Sequence, residues 1–175
     1  WSSDVCSSDL TQGLIKEDLS LVADPEWQYF LKFAQDYHHL KPYRTEWMIF
    51  DEDLKIAGSI DMVFENDDGT LSIYDWKRCR SIEHESFGGA TALTPCISHL
   101  PDSNFWHYSI QLNMYKMILE RKYGKKVTGL YLVCLHPENA YDNYDRIQVP
   151  ILTEEIEELL DWWTKNHHDN EGTHI

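Results

Sequence analysis

Thirty Asp and Glu against fifteen Lys and Arg in 175 residues give a formal charge of −15 at pH 7, which argues against the usual polynucleotide binder, whose grip rests on broad phosphate neutralisation. The length suits one domain with a single substantial core and is too short for two ordinary domains. No stretch approaches the roughly 18 apolar residues that span a bilayer, so the expectation is a soluble protein of the cytoplasm or another intracellular setting, whether cell-, virus- or phage-encoded.

Trp1 to Leu10 (WSSDVCSSDL) back-translate, with permitted codons, into a common sequencing-adapter oligonucleotide. They are read as a non-native scar and set aside, so that natural protein is expected from about Thr11 and its N-terminal part is expected to be lost. The domain then spans 11–166, with a disordered tail over 167–175. Asp24-Pro25-Glu26 predicts a helix start, with an N-cap acceptor, proline at the first position and acid in the first turn, running to about Tyr37. His38 and His39 at its end read as caps of the helix dipole. Thr45 to Phe50 predicts a strand carrying Glu46. After Asp51–Lys55, Ile56 to Phe64 is an apolar run interrupted at Asp61, and Asp is depleted from strand interiors, so its presence there calls for a reason. Asn66-Asp67-Asp68-Gly69 is turn chemistry, with Gly supplying a positive φ. Leu71 to Lys77 is the next strand, antiparallel to its predecessor.

Side chains two apart on a strand share a face about 7 Å apart, so Asp75 and Lys77 point the same way, and Asp61 needs only the neighbouring strand to join them. Two hard oxygen ligands and an ammonium are the minimal set for holding a divalent metal, positioning a water and neutralising charge on a phosphodiester. Glu46 is a candidate third carboxylate for the same cleft. Arg78 to Ser103 exceeds the usual length of a structureless loop and reads as a flap or an extra short element. Asp102 or Ser103 caps a helix to about Tyr123, whose apolar residues Tyr108, Ile110, Leu112, Met114, Met117, Ile118 and Leu119 cover most of its circumference. Val127 to Leu135 predicts a strand covered on both faces, Arg146 to Ile151 an edge strand, and Thr153 the cap of a last helix that buries Ile156, Leu159, Leu160 and Trp163. From Asn166 the chain reads as disordered. Cys79, Cys96 and Cys134 lack paired spacing, as in a reducing cytosol.

Gly58-Ser59-Ile60-Asp61 followed by Asp75-Trp76-Lys77 resembles the core motif of the PD-(D/E)XK nuclease superfamily. Gln111-Leu112-Asn113-Met114-Tyr115 is similar to the Gln-x-x-x-Tyr signature of its RecB-like branch, which includes lambda exonuclease-like and mitochondrial genome maintenance exonuclease-like proteins. Four-residue spacing puts Gln111 and Tyr115 on one helix face. The resemblance spans about Tyr43 to His136. It implies an α/β, restriction-endonuclease-like core: a mixed sheet with an antiparallel meander, then a further strand after a crossover helix, flanked by helices. It further implies Mg²⁺ or Mn²⁺ on Asp61, Asp75 and the backbone carbonyl of Trp76, with Glu46 as an additional ligand. Lys77 would orient the attacking water, and Gln111 and Tyr115 would support the site and touch DNA.

Some RecB-like relatives hold an iron–sulfur cluster on four cysteines; three cysteines outside the scar imply none here. The family's upstream acidic residue and Gly-Thr-x-x-His-like stretch find no match between Thr11 and Leu40. The expected activity is a metal-dependent deoxyribonuclease acting on DNA ends or single strands in recombination, repair or replication. The alternatives are an inactive nucleic-acid or protein-binding module of the same fold and a cap-snatching-type RNA endonuclease, which would want an upstream metal-binding histidine. Arg78, Arg80 and the basic residues from Lys116 to Lys126 are the candidate phosphate contacts, giving weak, salt-sensitive and metal-dependent DNA binding. A fused or partner domain would supply the remaining basic surface.

Overall fold

A computed structural model describes residues 24–139 and 142–167; the expected scar and the tail beyond His167 lie outside them. Helix α1 (Pro25–Asp36) begins as the sequence predicts, with Asp24 Oδ1 accepting the Glu26 N–H at 3.0 Å. Strands β1 (Lys41–Asp51), β2 (Ile56–Glu65) and β3 (Leu71–Lys77) follow, then helix α2 (Asn104–Tyr123), strands β4 (Val127–Cys134) and β5 (Asp145–Gln148), and helix α3 (Thr153–His167). The five strands form one mixed sheet in the order β1-β2-β3-β4-β5. β1, β2 and β3 pair antiparallel, β4 lies parallel to β3 after the α2 crossover, and β5 returns antiparallel to β4. This is the expected α/β, restriction-endonuclease-like architecture.

Two apolar layers hold it together. Trp27, Phe30 and Phe33 of α1 meet Met62, Phe64, Tyr74 and Val133 on one face of the sheet. Phe105, Leu112, Ile118 and Leu119 of α2 meet Trp47, Ile49, Ile60, Val63, Ile73, Leu130 and Leu132 on the other. β4 sends side chains into both layers, which is why it reads as a continuous apolar run.

The β2–β3 turn forms as its residues predict: Gly69 adopts φ +77° and donates its N–H to Asn66 O at 2.9 Å, while Asp68 Oδ1 takes the Thr70 N–H at 3.0 Å. The β1–β2 turn is clamped instead by charge. Asp51 is fully buried, accepts the Asp53 and Leu54 N–H groups and lies 3.2 Å from Arg121 Nε of α2.

Several boundaries differ from the sequence reading. β1 starts at Lys41, not Thr45; its first four residues are exposed, so they carry no apolar signal, and Pro42 is tolerated there because, among the described residues, no strand pairs on the outer edge of β1. β5 is only four residues and stops two short of Pro150. α3 buries Ile156, but Leu159 and Leu160 are only half-buried and Trp163 is exposed. The same helix carries Asn166 and His167 past the point where disorder was expected. Ser103 sits at the N-cap of α2 without capping it; its hydroxyl donates to His84 O at 3.2 Å. That bond, with Asn104 Nδ2 to Ser81 O and the Glu83 N–H to Asn104 Oδ1, straps the 78–103 connection to the start of α2. The connection contains two 3₁₀ turns, Phe87–Gly89 and Pro95–Ile97.

Candidate active site

The candidate residues meet where the β2–β3 ladder opens. The pairing ends at Met62↔Tyr74; one residue further, Asp61 and Asp75 would face each other. Instead of a backbone bond, the Trp76 N–H donates to Asp61 Oδ2 at 3.0 Å. Alternation also breaks here: Ile60 and Val63 both enter the α2 layer, while Met62 and Phe64 enter the α1 layer. β1 breaks at the same level. Glu46 has φ +46° and lies between Thr45, paired with Met62, and Trp47, paired with Ile60, so it stands across from Asp61. A left-handed non-glycine costs about 1–2 kcal/mol, and strain of this kind concentrates at functional sites.

Beyond the opening, β3 keeps a strict alternation. Trp76 turns its ring toward α1, edge-on to Phe30 and Phe33 at 5.3 and 5.2 Å. Asp75 and Lys77 turn to the α2 face. Asp75 is 5% exposed, and Lys77 Nζ lies 2.5 Å from its Oδ2; the ammonium also sits 4.1 Å from the centre of the Tyr108 ring. The close ammonium offsets part of the cost of burying the Asp75 carboxylate.

Burial pushes the Asp61 carboxyl up to about 7, helped by the negative charges of Asp75 and Glu46 and opposed by the Trp76 N–H and Lys77. Burial raises Asp75 as well, against the pull of Lys77. Two crowded carboxyls with raised proton affinities are what a site looks like before a hard cation supplies the missing positive charge. Two crowded carboxylates beside a strand carbonyl fit Mg²⁺ or Mn²⁺, which takes few protein ligands and keeps several waters. Among the described residues, no three His, Cys, Asp or Glu side chains converge as a ligand set. Glu46 acts on Asp61 through its charge without completing such a cluster.

α2 supplies the opposite wall. Gln111 Nε2 donates to Tyr115 Oη at 2.9 Å, and burial, helped by the charges of Asp75 and Asp61, raises the Tyr115 phenol. The Tyr115 ring rests on Gly58: a Cβ placed there would come within 2.3 Å of Tyr115 Cε1. Sequence reasoning quotes Gly58 but misses this role, although a glycine inside a strand is itself a sign of close approach. Tyr108 is also missed, because one more aromatic on an apolar helix carries no signal.

Arg78 and Arg80 are placed differently from the trio. Arg78 Nε lies 2.5 Å from Glu26 Oε1 on α1, a carboxylate that is only 5% exposed. Arg80 is open to solvent, 4.0 Å from Glu138. Cys79 and Cys134, unpaired by spacing, bring their sulfurs to 4.0 Å because Lys77 and Cys134 are register partners in the parallel β3–β4 ladder.

A family model described as the PD-(D/E)XK nuclease superfamily matches residues 1–174. No curated protein matches. A crystal structure of a protein from Eubacterium rectale, provisionally named an exonuclease, is similar over 97% of this chain and 68% of that one, at 11% identity and a TM-score of 0.45.

Proposed function

The chain belongs to the PD-(D/E)XK nuclease superfamily, and from that membership we propose that it is a divalent-metal-dependent deoxyribonuclease of the RecB-like branch, processing DNA ends or single strands in recombination, repair or replication. The observation that carries this reading is the gathering of Asp61, Asp75 and Lys77 at the opening of the β2–β3 ladder. Asp61, Asp75 and the Trp76 carbonyl would hold Mg²⁺ or Mn²⁺, which when bound supplies Lewis acidity and a water of lowered pKa.

The chain's own groups do the rest. Asp75 fixes the Lys77 ammonium at 2.5 Å, so the amine is in place to orient the attacking water and to meet negative charge as it develops on the phosphodiester. Preorganised charge of this kind needs no rearrangement during the reaction. Gln111 and Tyr115, locked to each other, form the wall along which the strand lies.

Labelled single- and double-stranded DNA and RNA, incubated with the protein in Mg²⁺, Mn²⁺ or EDTA, test this directly. DNA should be cut with either metal and not in EDTA. Cleavage of RNA alone would make the chain an RNA endonuclease, and absence of cleavage on all substrates would leave a binding module. Gly58→Ala gives a finer check. The new methyl must push the Tyr115 ring aside and break its bond with Gln111, at a stability cost of about 1–3 kcal/mol. Cleavage should fall by more than ten-fold while thermal melting shows an intact fold; activity equal to wild type would show that the position of Tyr115 is immaterial.

A further inference from the structure

The acidity of the chain and the fate of its cations point to how a substrate is gripped. The basic residues near the site and along α2 are largely taken up by internal pairs: Lys77 by Asp75, Arg78 by Glu26, Lys116 by Glu120, and Arg121 and Lys122 by Asp51 and Asp53. Phosphate contacts by these side chains would compete with those pairs, of which the exposed ones contribute little. The salt-sensitive binding expected from the sequence has to compete with these pairs.

Beside the trio, however, lies a cleft of about 570 Å³, walled by Tyr108, Gln111, Met114 and Tyr115 of α2 and by Ile56 and Ala57 of β2. It shares Tyr108, Gln111 and Tyr115 with the α2 wall of the candidate active site. Tyr108 carries the Lys77 ammonium against its ring, and Tyr115 feels the charges of Asp61 and Asp75. Its lining is largely aromatic and apolar, with Asn104, His107 and Gln111 as the polar members; Gln111 gives its amide nitrogen to Tyr115, while its Oε1 is buried and without a hydrogen-bond partner. Since amide oxygen and nitrogen are assigned from the network, the constant fact is one buried, unsatisfied amide atom in a cleft lined by rings and a thioether. An orphan of that kind calls for a ligand atom.

Flat faces of aromatic size, a polarizable methionine and one amide tip are the chemistry that receives a nucleobase, stacked on its face and read at one edge. A duplex hides both base faces in its own stack; a single strand offers them freely. Resting on the nuclease reading above, we propose that this cleft seats an unstacked nucleobase of a single-stranded polynucleotide next to the scissile phosphate, and that base stacking outweighs phosphate neutralisation in holding the substrate.

The test is fluorescence anisotropy with the full chain in EDTA, so that nothing is cut, using a labelled thymidine 12-mer, an abasic 12-mer with the same phosphates, a uridine 12-mer and a blunt duplex. Stacking of one base is expected to make the thymidine strand bind about ten-fold tighter than the abasic strand. The log–log salt slope should be shallower than about −2, fewer than about three phosphates' worth at ~0.7 each. Met114→Ala, which removes the thioether from the cleft wall, should reduce the ten-fold advantage while thermal melting shows an intact fold. A deoxyuridine 12-mer, which differs from the uridine strand only at the 2′ position, identifies the preferred sugar.

Equal binding of abasic and thymidine strands, a duplex bound as tightly as a single strand, a slope steeper than about −4, or no measurable binding would each overturn the proposal. Adding Mg²⁺ or Mn²⁺ to the same oligonucleotides separates the two readings. Cleavage with base-independent binding sinks the cleft and leaves the nuclease, whereas base-dependent binding without cleavage sinks the nuclease and leaves the cleft.

Discussion

Lys77→Met is expected to lower kcat for DNA cleavage by about 10³-fold, the scale of losing one preorganised electrostatic partner of the reacting group, while the protein still folds. Methionine keeps an unbranched stem against the Tyr108 ring, so the change isolates the ammonium, which lies 4.1 Å from that ring and 2.5 Å from Asp75. Lys77→Arg should not rescue activity, because a planar fork cannot occupy the place of a compact ammonium between a carboxylate and an aromatic face. Stability separates this role from that of a simple counter-ion. Lys77 neutralises a carboxylate that is 5% exposed, and removing one partner of a buried pair costs far more than removing both. Asp75→Asn/Lys77→Met should therefore recover much of the melting temperature lost by Lys77→Met and none of the activity. If Lys77→Met cleaves within ten-fold of wild type, the amine is only a structural partner of Asp75.

How much of this could be read in advance differs by residue. Asp61 was legible because a carboxylate inside an apolar strand contradicts strand propensity, and Asp75 with Lys77 because period-two alternation puts both on one face. The meander was legible from the Asn66–Gly69 turn, and the β3–α2–β4 crossover from a continuous apolar run following a helix. Other features depend on contacts that no local pattern announces. Glu26 reads as an ordinary first-turn acid, yet it closes on Arg78, a member of the expected phosphate-binding set. Arg121 and Lys122 look like a basic helix end and instead hold the Asp51–Asp53 turn. In each case a charge was visible and its partner, about 50 to 70 residues away, was not. The opening of the β2–β3 ladder is a register event, so it too appears only when the strands are paired.

That opening has a measurable consequence for stability. Asp61 holds its proton to about pH 7 in the folded protein, against an ordinary value of 3.8. Between those two values the folded state binds more protons than the unfolded chain, so the stability this group contributes is fully present below about pH 4 and is lost as the pH rises through 7. At about 1.36 kcal/mol per unit, the loss amounts to up to about 4 kcal/mol, with raised Asp75 adding in the same direction. In EDTA, Asp61→Asn should therefore match wild type near pH 4 and exceed it most near pH 8, as read by urea denaturation. Divalent metal should act in the opposite sense, because it competes with the proton for the same oxygens: Mg²⁺ or Mn²⁺ should raise the melting temperature of the wild type strongly at pH 8 and little at pH 5.5. Asp61→Asn should respond weakly to metal at both. Superimposable stability-versus-pH curves for wild type and Asp61→Asn would show that Asp61 ionises normally, and the case for two crowded carboxyls awaiting a cation would fail with it.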